Sequence, residues 1–260
     1  MADNRKTLVL FDVGGVMISL NFQGFYNRAA ALSGSLTPGE FKNRYVESRI
    51  DFLACKGFIS RRENVQMLRR LIGPREPVPD ELIESLVESA WLDPIRELIE
   101  LKRRVHEAGY PVGILSNTTE LALGQISSRH PEIFETFDGC SPRLYSCRLG
   151  TMKPEPEIYQ AVTGYEKVIF IDDQKKYVDV PVRLRGWKGI WLTPWIDETE
   201  SLRVVHGGGV RAGGAGGRTQ GDDIHDDRSG NDLSRSGDFR RADSVKELVG
   251  HLRDFGVEVA

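Results

Sequence analysis

Apolar residues along this chain fall into two patterns. Four short runs, Thr7 to Phe11, Pro111 to Leu115, Lys167 to Ile171 and Gly189 to Leu192, are apolar at nearly every position. Runs of that length, bounded by glycine or polar residues, predict strands buried on both faces, as in a parallel sheet. Arg143 to Cys147 predicts a shorter strand. Elsewhere the apolar positions recur at helical spacing. Ser60 with Glu63 three residues on predicts a capping box, and Val65, Leu68, Leu71 and Ile72 give the helix that follows one apolar face. Pro74, Pro77 and Pro79 end it. Asp80 is expected to cap a second amphipathic helix carrying Leu82, Ile83, Leu86 and Val87. Further helices are expected from Pro94 to Val105, Glu120 to Arg129, Glu155 to Thr163 and Ser244 to Phe255.

No strand-like run interrupts residues 20–92, whereas strands and helices alternate from Asp93 onward. That order predicts an α/β fold, a Rossmann-like parallel sheet core flanked by helices, with an inserted helical cap. The core is expected to comprise 1–19, 93–206 and 242–260, and the cap 20–92. Between Gly207 and Arg241 both patterns vanish. The segment holds ten of the 27 glycines and few large apolar side chains. It cannot bury enough apolar surface to offset its ordering entropy, so 207–241 is read as a disordered insertion.

Composition narrows the function classes. A chain of 260 residues has room for a core and a cap. Lys and Arg number 35 against 38 Asp and Glu, a net charge of −3. No basic field therefore points to nucleic acid or an anionic membrane. Cys55, Cys140 and Cys147 are too scattered for a disulfide framework or a zinc site, which suits a reducing compartment. There is no signal peptide and no apolar run approaching the roughly 20 residues of a spanning helix, so a cytoplasmic protein is expected. His106, His130, His206, His225 and His251 share no metal spacing. Trp187, Trp191 and Trp195 are read as packing residues, Arg61, Arg62, Arg69 and Arg70 as a solvated helix face, and Lys42 and Lys56 as solvated.

Candidate chemistry gathers where the strands end. Ligands of open parallel sheets bind at the carboxyl ends of the strands. Three runs end in Asp12, in Ser116-Asn117 and in Asp172-Asp173, and Lys153 stands in Gly150-Thr-Met-Lys-Pro154 before a helix. Singly, each has a plain reading: a helix cap, a turn or a solvated lysine. The acidic pair asks for more, because adjacent carboxylates repel and a divalent cation is the simplest means of holding them. Magnesium prefers such oxygen ligands.

Taken in order, Asp12-Val-Gly-Gly-Val16, Ile114-Leu-Ser-Asn117, Lys153-Pro154 and Phe170-Ile-Asp-Asp173 resemble the four signature motifs of the haloacid-dehalogenase-like (HAD) hydrolases. The spacing is similar to the branch with a helical cap between the first two motifs, which includes sugar-phosphate phosphatases and the N-terminal phosphatase domain of epoxide hydrolase. Lys56-Gly-Phe-Ile-Ser60, Pro94, Gly150 and Glu155-Pro-Glu-Ile-Tyr159 fit the flanks. The resemblance implies that Asp12 attacks phosphorus and forms an aspartyl-phosphate. It implies a Mg2+ ion held by Asp12, the backbone carbonyl of Gly14, and Asp172 or Asp173. Gly15, Ser116, Asn117 and Lys153 would bind the phosphoryl group, with Lys153 neutralising developing charge.

Two features depart from the family pattern. The residue two after the nucleophile, usually an acid–base Asp, is Gly14, and loss of such a group commonly costs about 10²–10⁴-fold in rate. Gln174 and Tyr177 occupy a loop where the family often carries Asn. The main expectation is a magnesium-dependent phosphatase of a small phosphorylated metabolite. The alternatives are a catalytically weak binding or regulatory protein, and a hydrolase of C–halogen or C–P bonds.

Overall fold

The computed structural model of the chain describes residues 4–137, 139, 141–193 and 237–259. Its strands are β1 (Thr7–Phe11), β2 (Ile18–Leu20), β3 (Trp91–Pro94), β4 (Val112–Ser116), β5 (Arg143–Tyr145), β6 (Lys167–Asp172), β7 (Lys188–Leu192) and β8 (Phe239–Ala242). The helices are α1 (Phe22–Ser33), α2 (Pro38–Ser48), α3 (Ile50–Cys55), α4 (Arg61–Ile72), α5 (Asp80–Glu88), α6 (Arg96–Glu107), α7 (Glu120–Arg129), α8 (Pro131–Phe134), α9 (Ser146–Leu149), α10 (Pro156–Gln160), α11 (Lys175–Arg185) and α12 (Val245–Asp254).

Six strands form one sheet in the order β5-β4-β1-β6-β7-β8, and every pairing in it is parallel. β1 lies between β4 and β6, with Phe11 level with Ile114 on one side and Ile171 on the other. Alternation along β1 feeds both faces. Val9 and Phe11 join the layer that includes Leu98, Leu101, Leu248 and Leu252, while Leu8 and Leu10 join Tyr159, Phe170 and Trp187. Burial on both sides is why these strands read as continuous apolar runs. The chain has the α/β, Rossmann-like architecture that the pattern predicts.

Helices α1 to α5 build their own apolar cluster. Phe25, Tyr26, Phe41 and Tyr45 meet ring against ring, with Val65, Leu68, Ile83 and Leu86 around them. The Ser60–Glu63 capping box forms in both directions. Asp80 does not cap α5: Pro79 holds that position, and Asp80 is the first helical residue, where its carboxylate pairs with Arg69. The chain leaves and re-enters the main sheet region through an antiparallel ribbon of β2 and β3. Strands of three and four residues carry too short a pattern to foresee. Pro94 ends β3 rather than opening a helix, and α6 begins at Arg96.

Two more elements escape the pattern. α11 has Pro181 in its interior and five charged side chains, which mask its buried Tyr177, Val178 and Val182. β8 begins inside the 207–241 stretch read as disordered and ends just past it; Phe239 and Ala242 are buried, with Arg240 and Arg241 between them. Strand β8 extends the sheet beside β7. Residues 207–236 of that stretch lie outside the described residues, as do Cys140, Trp195, His206 and His225. No helix among the described residues is long and apolar enough to cross a membrane.

Candidate active site

β1 and β6 are neighbours in register, so their carboxyl ends deliver Asp12, Asp172 and Asp173 to one place. Carboxylate oxygens of the three residues lie within 4.8 Å of one another, and all three are buried. β4 ends beside them in Ser116, also buried. Lys153 comes from the loop after α9. Its Nζ lies 3.0 Å from Asp12 Oδ1, 2.6 Å from Asp172 Oδ2 and 3.1 Å from the carbonyl of Leu115, which it also reaches as donor. The Lys153 side chain has no exposed surface. All four motifs therefore converge at the carboxyl edge of the sheet.

Backbone geometry fixes Asp12. Its N–H donates to Ile171 at 3.0 Å, and its Oδ1 accepts from Val13 N at 2.7 Å. The turn that follows is closed by Gly15 N–H donating to Ile18 O at 2.9 Å. Gly15 has φ +75°, and a Cβ there would stand 2.6 Å from Asp173 Oδ2. Only glycine combines that backbone with so close an approach. Gly14 differs. Its backbone is ordinary, but a Cβ would meet Leu20 at 3.3 Å and the Trp91 ring at 3.5 Å. Side chains of the β2–β3 ribbon thus border the place where an acid–base carboxylate would begin.

Charge in the site is lopsided, with three carboxylates around one buried ammonium in contact. Burial alone would lower the Lys153 pKa, yet attraction from Asp12 and Asp172 holds it above its ordinary value. Burial raises Asp173 to about 7, and the Asp12 charge pushes the same way against a hydrogen bond from Gln174. Burial also raises Asp172, with Lys153 opposing and Asp12 and Asp173 reinforcing. Both shifts disfavour the ionised carboxylates, and nearby positive charge opposes them.

Several residues that the pattern reading assigned elsewhere hold this arrangement together. Asn117 donates to Lys153 O and accepts from Lys153 N, both at 2.8 Å, so its amide clamps the lysine's backbone. Gln174, noted only as a departure, donates through Nε2 to Asp173 Oδ2 at 2.8 Å, while its N–H donates to Asp172 Oδ1 at 2.7 Å. The Tyr177 ring lies 5.2 Å from Lys153 Nζ, opposite Phe170 at 5.4 Å. Trp191, read as packing, also donates from Nε1 to Asp173 O at 2.9 Å. Lys56 is not solvated. Its Nζ bridges both oxygens of Glu155, at 2.9 and 2.8 Å, tying the segment after α3 to the Lys153 loop. No spacing rule links Lys56 to Glu155, so only the fold reveals the pair.

No protein-family model matches the chain, and no curated protein matches it. Solved structures do. A HAD family enzyme from Bacteroides thetaiotaomicron superposes with TM-score 0.62 at 24% identity, covering 76% of this chain and 98% of its own. The wild-type form of that enzyme in complex with magnesium and inorganic phosphate gives TM-score 0.60 at 25% identity, covering 75% and 98%. A predicted HAD-like family hydrolase from Porphyromonas gingivalis gives 0.59 at 21% identity, covering 78% and 98%. The likeness spans nearly the whole length of those chains, and the four motifs keep their order at the strand ends. Fold and motif order together support membership of the haloacid-dehalogenase-like superfamily.

Proposed function

We propose that the protein is a magnesium-dependent hydrolase that removes the phosphoryl group from a small phosphorylated metabolite through Asp12. The convergence of Asp12, Lys153, Asp172 and Asp173 in one buried cluster carries this reading. Its donor set fits the metal: three carboxylates supply only oxygens, and their shared negative charge exceeds what Lys153 offsets. Asp12, Asp172 and Asp173, with the Gly14 carbonyl, would hold the ion. When bound, magnesium would supply positive charge that offsets the carboxylates and screens the phosphoryl oxygens.

The remaining steps belong to the protein's own groups. Lys153 holds Asp12 through Oδ1, which leaves Oδ2 to attack phosphorus in line with the leaving oxygen; the ester P–O bond breaks, the departing oxygen takes its proton from solvent, and water then hydrolyses the aspartyl-phosphate to phosphate and free Asp12. Ser116 and the backbone N–H groups beyond Asp12 would take phosphoryl oxygens. Lys153 stabilises the charge that develops there. Helices α1 to α5 would act as the cap, with the Lys56–Glu155 pair holding it against the Lys153 loop. The reading is supported by the solved HAD family enzyme that holds magnesium and inorganic phosphate. Phosphate release from a metabolite panel, present with magnesium and lost with a chelator, tests it.

Gly14 favours a second reading, a protein that binds phosphoryl ligands and turns them over weakly. Leu20 and Trp91 border the space where the acid–base side chain would start. Turnover of an ester with an acidic leaving group, such as p-nitrophenyl phosphate, alongside negligible turnover of alkyl phosphates would favour this second reading.

A further inference from the structure

A cavity of about 530 Å³, open mouth included, lies between the helices α1 to α5 and the loop after β4. About 50 Å³ of it admits water-sized groups, room for a few atoms of a small polar group. Its floor is Asn117, Thr118 and Thr119, the same loop that clamps Lys153, so it adjoins the phosphoryl end of the site. Phe22, Phe25, Tyr45 and Trp91 give it aromatic walls, and Asp51 and Asn64 line it as well.

The polar groups in this cavity have a consistent chemistry. Asn64 is 5% exposed, and its Oδ1 is buried and accepts no hydrogen bond among the described residues. Trp91 Nε1 is likewise buried and donates to no group among them. Asp51 accepts from the Tyr45 hydroxyl at 3.2 Å. Burial pushes Asp51 up to about 6, with the Tyr45 hydrogen bond pulling back. The charge of Asp51 reaches Tyr26, Tyr45 and Cys55, whose own ionisation it opposes. A carboxylate, an open amide oxygen and aromatic faces all prefer one kind of ligand group, an ammonium. It has three N–H donors and no acceptor, and it is attracted to aromatic faces.

We propose that this cavity receives the leaving group of the substrate, and that the leaving group carries an amine. The substrate class is then a phosphomonoester of an amino alcohol, whose ammonium pairs with Asp51 and Asn64 between the aromatic walls. Trp91 Nε1 is placed to donate to an oxygen of the same leaving group. The proposal rests on the phosphatase reading of Asp12.

The test uses the full chain with magnesium and two matched series of increasing length, ω-aminoalkyl and ω-hydroxyalkyl phosphates. The amine is expected to exceed the alcohol in kcat/KM by about tenfold or more at its best length, the yield of one charged hydrogen bond. The difference should lie in KM, vanish in Asp51→Asn and shrink in Asn64→Leu. Equal kcat/KM at every length in the unmodified protein overturns the proposal and leaves the phosphatase reading intact. If no ester is hydrolysed, calorimetry with the corresponding non-hydrolysable phosphonates decides. Binding of the amino form about tenfold tighter than the hydroxy form upholds the pocket assignment while the phosphatase reading falls; equal binding overturns the pocket assignment.

Discussion

Lys153 Nζ stands 2.6 Å from Asp172 Oδ2, with neither side chain exposed to solvent. The same ammonium reaches Asp12 at 3.0 Å, so one lysine joins the ends of β1 and β6. Replacing it with Met leaves buried carboxylates without their partner. Breaking such a pair typically costs about 3–5 kcal/mol. Lys153→Met should therefore unfold at clearly lower urea concentration. It should also lose about 10²–10³-fold in turnover, as for removal of one preorganised charge-stabilising group. Urea titration and initial rates on the same preparation check both effects.

Gly15 gives a sharper geometric prediction. An Ala there must adopt φ near +75° and place a methyl 2.6 Å from Asp173 Oδ2. The backbone term alone is about 1–2 kcal/mol, and Asp173 must also shift. Gly15→Ala should lower stability by at least that amount and raise the magnesium concentration needed for half-maximal activity. A magnesium titration indistinguishable from the unmodified protein would mean that Asp173 does not take part in holding the ion.

The Lys56–Glu155 pair is half-accessible, with side chains 15% and 33% exposed. An ion pair of that kind contributes at most about 1 kcal/mol to stability. Its placement matters more, because Glu155 also accepts from Thr151 Oγ1 at 2.9 Å and Met152 N at 3.1 Å beside Lys153. Lys56→Ala should leave the melting temperature nearly unchanged while kcat/KM falls roughly threefold to tenfold. Added salt should reduce the difference between variant and parent. Steady-state kinetics across ionic strength measure this.

Lys102 on α6 supplies a pH dependence away from the site. Its ammonium donates to the carbonyls of Glu132 at 3.0 Å and Ile133 at 2.6 Å. Burial lowers its pKa from 10.5 to about 8, with Glu135 opposing. Between about 8 and 10.5 the unfolded chain keeps the proton that the folded chain has released, so folding stability gains as pH rises through that window. The displacement corresponds to on the order of 3 kcal/mol. Relative to Lys102→Met, the parent should gain stability from pH 8 to 10. A flat difference across that range would contradict the assignment.

Much of this molecule is legible from its residues, and what is hidden has physical causes. Strands buried on both faces announce themselves as unbroken apolar runs, so β1, β4, β6 and β7 are visible, and Asp12, Ser116 and Asp172-Asp173 mark their ends. Elements whose apolar content is diluted are not: Pro181 and the charges of α11 conceal its buried face, and Arg240 and Arg241 disguise β8. The ribbon of β2 and β3 is too short to show a period. Contacts made across long chain separations leave no local trace. Lys56 finds Glu155 99 residues away, and the Trp191 indole finds the Asp173 carbonyl from the neighbouring strand. The cavity around Asp51 and Asn64 is invisible for the same reason, since its walls come from six helices, strand β3 and two loops.

The central claim is that Asp12 is the nucleophile of a magnesium-dependent phosphatase. The most direct measurement is phosphate release by the parent and by Asp12→Asn, side by side, with magnesium and with a chelator. The account predicts release by the parent only when magnesium is present, and release at background for Asp12→Asn in both conditions. Undiminished release by Asp12→Asn, or release by the parent that ignores the chelator, would contradict it.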